Sequence, residues 1–278
     1  MWFFYGLSRL PFFVLYLISD FLAFLAGTVF KYRKKVILEN LRKSFPEKSV
    51  QELEVITKGF YKNLSDIVVE TIKGLTISQK ELDRRVKIVN EDVLVKYLQG
   101  NTTNIALASH QGNWEWLLLS CASRLPVNVQ AAYKPLRNQF FEKLMYGIRS
   151  RFGTEPIPSK QLVRRMVQLR GQTSLFALVA DQSPDPQQAT VVEFLNQKTI
   201  FLNGPQKLYD LSKGIVYYAE MVRVKRGYYT IQAHFLAELP YQGSQTIIQD
   251  YAKAVEQSIA RNPESWLWSH KRWKFKVE

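Results

Sequence analysis

His110 and Glu115, five positions apart, are the residues of this chain best placed for acid–base chemistry. His110 follows an apolar run from Asn104 to Ala108 that reads as a buried strand, and Trp116 to Ala122 reads as a helix. On one continuous helix that spacing would set the two side chains about 140° apart. They meet only if His110 precedes the helix and Gly112-Asn113 turn the chain back. Glycine supplies the backbone freedom for this and asparagine a good N-cap. A carboxylate in hydrogen-bond reach of an imidazole fixes its tautomer and stabilises the cation formed when it takes a proton. The pair therefore predicts a general base for a hydroxyl. Spacing alone also fits a packing histidine beside a glutamate that favours a first helical turn. Placement at a strand's carboxyl end, where α/β proteins build their sites, favours the catalytic reading. Ser109 adjoins His110, but strand neighbours point to opposite faces, which argues against a Ser-His dyad.

The elements that must position these residues alternate. Strands are expected at Val86 to Val89, Ile105 to Ala108, Val127 to Ala132 and Ser174 to Ala180. Helices are expected at Lys34 to Phe45, from Ser49 onward behind a Ser49-x-x-Glu52 capping box, and at Ser78 to Lys87 and Asp92 to Gln99. Further helices are expected at Asn138 to Phe152, Gln161 to Arg170, Asn203 to Ser212 and Thr246 to Arg261. Ile215 to Val224 and Tyr228 to Leu236 flank Lys225-Arg226-Gly227 as a hairpin. The fold class is α/β, a mixed central sheet flanked by helices, with an N-terminal membrane helix.

The 278 residues suffice for one large α/β domain, and the net charge of +14 fits an acidic partner. With 17 Phe, 14 Tyr and 6 Trp, many beside basic residues, the mixture suits a membrane interface better than a DNA groove. No nucleic-acid-binding signature accompanies the charge. The single Cys121 excludes an intramolecular disulfide and a multi-cysteine zinc site. Leu10 to Phe30 is apolar except for Ser19, Asp20 and Thr28, about the length that crosses a bilayer. Asp20 there would be costly unless paired or hydrated. Lys31, Arg33, Lys34 and Lys35 follow at once, without a cleavage site between. Residues 1–30 thus read as a membrane anchor and 31–278 as a domain on the cytoplasmic side, with spanning and lying flat both open.

Five sequence words carry a resemblance. His110-Gln111-Gly112-Asn113-Trp114-Glu115 resembles the catalytic segment of the bacterial lipid A biosynthesis acyltransferases, the lauroyl/myristoyl (late) family. These belong to a wider acyltransferase group sharing His-x4-Asp/Glu. Tyr133-Lys134-Pro135-Leu136-Arg137-Asn138 is similar to the family's Tyr-Arg-Pro-Leu-Arg-Asn-like segment, with Lys134 where arginine is usual. Arg149-Ser150-Arg151-Phe152-Gly153 resembles the next word, and Asp181-Gln182 matches an Asp-Gln at a strand end. The tail Trp266-Leu267-Trp268-Ser269-His270-Lys271-Arg272-Trp273 resembles a Trp-x-His-x-Arg-Trp signature.

The resemblance implies an acyltransferase-like fold and transfer of a fatty acyl chain from acyl carrier protein or coenzyme A to a hydroxyl of a lipid A precursor, an anionic glycolipid. The setting it implies is the bacterial inner membrane, with no cofactor and no metal. His110 is then the base and Glu115 its orienting partner. Lys134, Arg137, Asn138, Arg149, Arg151, Asp181 and Gln182 are expected to hold substrate or site residues. Lys31, Arg33, Lys34 and Lys35, with Trp266, Trp268, Lys271, Arg272, Trp273 and Lys274, are expected at the membrane interface, with at least one of the tail indoles expected to pack inward instead. Transfer to another glycolipid, aminolipid or phospholipid stays open, as does a non-catalytic basic membrane-binding module.

Overall fold

The apolar runs pair into a seven-stranded sheet flanked by helices on both faces. The computed structural model describes residues 1–238 and 246–275. Its helices begin with α1 (Trp2–Arg9), α2 (Phe12–Phe24), α3 (Lys34–Ser44), α4 (Val50–Lys73) and α5 (Gln79–Arg85). Strand β1 (Val86–Ile88), helix α6 (Glu91–Tyr97), strand β2 (Thr103–Ala108) and helix α7 (Trp114–Arg124) come next. They lead to β3 (Val129–Tyr133), α8 (Gln139–Arg149), β4 (Glu155–Pro158), α9 (Leu162–Gln168) and β5 (Ser174–Val179). A separate hairpin, β6 (Ala189–Phe194) and β7 (Gln197–Leu202), precedes α10 (Gly204–Ser212), β8 (Ile215–Lys225), β9 (Tyr228–Ala237) and α11 (Ile247–Arg261).

The sheet order is β1-β9-β8-β2-β5-β3-β4, and only the β8–β9 pair is antiparallel. β2 is central and nearly wholly buried, as a parallel strand covered on both faces must be. The register pairs Ala108 of β2 with Val179 of β5, so the residues two steps further on, His110 and Asp181, leave the sheet side by side. Nearly every expected element is present within a few residues, and the Ser49–Glu52 capping box closes in both directions. Not anticipated were β4 and the β6–β7 hairpin.

The apolar N-terminus departs from one uninterrupted helix over residues 10–30. Pro11 breaks it, since proline is tolerated at a helix start but not inside, and the unexpected α1 lies ahead of the break. After α2 the chain widens into a π-helical turn, Leu25–Val29. Leu15, Ser19 and Ala23 of α2 are buried, while Phe13, Leu17, Phe21 and Phe24 stay exposed. The polar residues of α2 are paired with the rest of the fold. The Ser19 hydroxyl donates to Asp66 at 2.6 Å and the Tyr16 hydroxyl to Glu70 at 2.9 Å. Asp20 accepts two bonds from Arg226, at 2.7 and 3.0 Å, which answers the cost of a carboxylate in an apolar segment.

Candidate active site

His110 stands just beyond β2 with its side chain 18 % exposed, and Asp181 stands just beyond β5, buried. The imidazole Nδ1 lies 2.6 Å from Asp181 Oδ1. The His110 backbone N–H donates to Asp181 Oδ2 at 2.9 Å, and the Trp266 indole N–H donates to the same oxygen at 2.8 Å. Burial pushes the Asp181 carboxyl up, but the imidazole, its backbone N–H and the Trp266 indole outweigh this and hold it below the usual range. A carboxylate can only accept, so Nδ1 carries the ring proton and Nε2 presents its lone pair. Gln182 places its amide nitrogen 3.3 Å from that Nε2, and Trp114 sets its ring edge-on to the imidazole at 5.0 Å.

Glu115 is not the imidazole's partner. Its two oxygens are held by Arg149, Nε to Oε2 at 2.9 Å and Nη2 to Oε1 at 2.5 Å, a bidentate fork with a nearly buried carboxylate. The reason is local geometry: Glu115 lies in the first turn of α7, which carries its side chain toward α8 and away from β5. The expected His110–Glu115 hydrogen bond is thus replaced by two pairs, His110–Asp181 and Glu115–Arg149.

The loop between β2 and α7 is shaped by three devices. Asn113 caps α7 by accepting the Trp116 N–H at 3.0 Å, and its amide donates to buried Glu70 at 2.7 Å. Gly112 adopts φ +58°, and a Cβ there would sit 2.9 Å from the Met221 carbonyl oxygen. The C-terminal tail then ties the loop down: Gly112 N–H donates to the Ser265 carbonyl at 3.1 Å, and Leu267 N–H to the His110 carbonyl at 3.0 Å. Gly112→Ala is expected to cost about 1–2 kcal/mol from the left-handed backbone alone. Displacing His110 by about 1 Å should lower turnover on the order of 100-fold. Thermal unfolding and a turnover assay check both, and an unchanged variant would contradict the loop geometry.

The other expected site residues divide. Asn138 spends its side chain capping α8, accepting from the Phe140 and Phe141 N–H groups. Arg151 donates to the carbonyls of Gly74 and Ile77, so it fastens the end of α4 instead of facing a ligand. Lys134 and Arg137 are exposed and make no ion pair among the described residues. Ser109 bonds the Tyr218 hydroxyl at 2.9 Å and makes no hydrogen bond to the imidazole among the described residues. Burial pushes the Cys121 thiol up to about 12, with Glu91 adding to the shift, so it stays protonated.

The tail differs from the expected interfacial surface. Trp266, Trp268 and Arg272 are buried, Trp273 is half-buried, and only Lys271 and Lys274 face solvent. The indoles pack inward because they have work there: Trp266 holds Asp181, and Trp268 meets Trp266 edge to face at 4.7 Å. Arg272 lies over the Phe201 ring at 4.2 Å and donates to Thr199 at 2.8 Å. His270 is driven down to about 4, chiefly by burial, and is neutral at physiological pH. The sequence leaves both roles open, with at least one indole expected inward, because Trp beside Lys and Arg has one composition for both.

The family model of the bacterial lipid A biosynthesis acyltransferases matches residues 1–275. The chain is 24% identical over 273 residues to a lipid A biosynthesis palmitoleoyltransferase of Escherichia coli (strain K12), covering 96% of this chain and 87% of the relative. A lipid A biosynthesis acyltransferase of Shigella flexneri matches to the same extent.

Proposed function

Since this chain belongs to the bacterial lipid A biosynthesis acyltransferase family, and is an acyltransferase on that ground, we propose that it acylates a hydroxyl of a lipid A precursor from a thioester donor, acyl carrier protein or coenzyme A. The observation that supports this chemistry best is the pairing of His110 Nδ1 with Asp181, which leaves Nε2 to accept, met only by the Gln182 amide among the described residues. The acceptor hydroxyl takes the place of the Gln182 amide beside Nε2. His110 removes its proton as the oxygen attacks the thioester carbonyl carbon. The tetrahedral oxyanion forms near the start of α7. There the Asn113 cap takes the Trp116 N–H, while the Trp114 and Glu115 N–H groups have no acceptor among the described residues. When the intermediate collapses, the carbon–sulfur bond breaks and the thiolate takes the proton back from His110. Glu115 and Arg149 keep the first turn of α7 fixed against α8, and Asp181 stabilises the imidazolium.

The same reading sets the protein against the cytoplasmic face of the bacterial inner membrane. Residues 1–30 are the anchor and 31–278 the catalytic portion. Trp2, Phe3, Phe13, Leu17, Phe21 and Phe30 are exposed, and α8 extends this apolar surface: Phe140 and Phe141 contact Phe4. Because α2 is tied by Ser19, Asp20 and Tyr16 to the folded domain, we read it as lying in one leaflet, apolar face inward, instead of crossing. Lys31, Arg33, Lys34 and Lys35 then meet anionic headgroups. Lys134 and Arg137, six and three positions before Phe140 and without ion pairs among the described residues, are available for phosphate on the acceptor.

The test is incubation of detergent-solubilised protein with labelled acyl carrier protein thioester or acyl-coenzyme A and a lipid A precursor, beside His110→Ala. Transfer by wild type, lost in the variant, is the expected result. If the folded wild type transfers from either donor neither to the lipid A precursor nor to a panel of other glycolipids, aminolipids and phospholipids, the catalytic reading fails and the membrane-binding module replaces it.

A further inference from the structure

The spacing Asp20, Ala23, Phe24, Gly27, Thr28 is one face of the N-terminal helix and its π-helical turn, with Lys31 just beyond the turn, and Glu54, Thr57, Lys58, Tyr61, Lys62 is one face of α4. The two faces oppose each other and leave a trough of about 740 Å³, closed by Lys34 and Arg226. Its depth has a local cause. The π-helical turn brings Gly27 against the Tyr61 ring, where a Cβ would come within 2.9 Å, and the Tyr61 hydroxyl donates to the Tyr32 carbonyl at 2.8 Å. A π-turn inside an apolar helix commonly marks a functional position.

The lining mixes two chemistries. Phe24, on the N-terminal wall, belongs to the exposed apolar surface of α2. Lys31 and Lys34 on the N-terminal side and Lys58 and Lys62 on α4 also line the trough, and none of them forms an ion pair among the described residues. Arg226 is already committed to Asp20 and Asp66, which leaves the four lysines facing Glu54 as the one uncommitted carboxylate. Four lysines lining a cleft of ligand size, beside exposed apolar side chains of α2, match a phosphate whose ester carries acyl chains.

We propose that this trough binds the phosphate headgroup of an anionic lipid whose acyl chains lie along the apolar face of α2. The inference rests on the membrane placement proposed above. It concerns a site on the N-terminal helix and α4, separate from the His110–Asp181 pair.

Dihexanoyl phosphatidic acid, kept below its micelle concentration, is titrated into the full-length protein in uncharged detergent and followed by calorimetry. Inorganic phosphate and dihexanoyl phosphatidylcholine are titrated in parallel. Saturable one-to-one binding of the phosphatidic acid is expected, with affinity at least tenfold lower in Lys58→Ala/Lys62→Ala and in Lys31→Ala/Lys34→Ala. Thr28→Trp, which fills the trough from an exposed position without removing charge, should lower affinity similarly. Lys207→Ala/Lys213→Ala, on α10 and at its end, should bind as wild type. Non-saturating binding, equal affinity for inorganic phosphate or phosphatidylcholine, or equal losses in the α10 variant would each overturn the proposal. His110→Ala should bind like wild type, so this result and the acyl-transfer result stand or fall separately.

Discussion

Replacing Asp181 by asparagine is expected to lower acyl transfer by about 10³–10⁴-fold, close to the loss from His110→Ala. Asp181 receives three donors on two oxygens: the imidazole Nδ1–H on one, and the His110 backbone N–H and Trp266 indole N–H on the other. An asparagine has one oxygen. The two donors on Oδ2 will claim it, which turns the amide nitrogen toward Nδ1. The imidazole must then accept at Nδ1 and carry its proton on Nε2, where it can no longer take one from a hydroxyl. Glu115→Gln leaves this arrangement intact, so its rate loss should be much smaller and should follow its loss of stability. The variant also has a pH signature. Because the folded Asp181 carboxyl lies below its ordinary value of 3.8, its stabilisation is present above that value and lost as pH falls through the folded one. The stability gap between wild type and Asp181→Asn should therefore be widest at neutral pH and narrow below about pH 4. An Asp181→Asn variant keeping more than a tenth of wild-type turnover would show that the imidazole is oriented by something else.

Why Asp181 was legible as a polar residue at a strand end, yet not as the partner of His110, is a matter of strand order. Both residues follow apolar runs, and each run reads correctly as a strand. That β5 lies next to β2, with β3 outside it, is decided by packing over the whole sheet and leaves no local trace. Glu115 misleads for the converse reason: it is near in sequence and turned away in space. Its partner Arg149 lies 34 positions on, and a basic residue near a helix end needs no partner to explain it. The unexpected strands have local causes. β4 contains Pro156 and Pro158, which read as loop but are tolerated at the sheet's edge. The β6–β7 hairpin turns on Leu195-Asn196, both at positive φ, where the usual signal would be Asn-Gly. The buried tail tryptophans show the same limit in composition: an indole beside a guanidinium suits a membrane surface and an aromatic core alike.

Removing the Arg149 guanidinium should be strongly destabilising. Arg149→Ala leaves the Glu115 carboxylate, 6 % exposed on its side chain, without its two charge-assisted bonds. Breaking a buried pair from one side costs about 3–5 kcal/mol, which in a chain of this size lowers Tm by roughly 10 °C. Removing both partners, Glu115→Ala/Arg149→Ala, should recover a large part of that loss, since no charge is then stranded. Arg149→Lys should recover little, because an ammonium cannot reproduce the planar fork. The cycle also separates stability from chemistry. The pair fixes α7 to α8, and α7 begins immediately after the loop that carries His110. If the pair acts by holding that loop, the double variant should regain Tm while its turnover stays depressed, with kcat lowered more than the affinity for donor. Turnover restored together with Tm would mean that the pair serves the fold alone and that His110 and Asp181 need no support from α8.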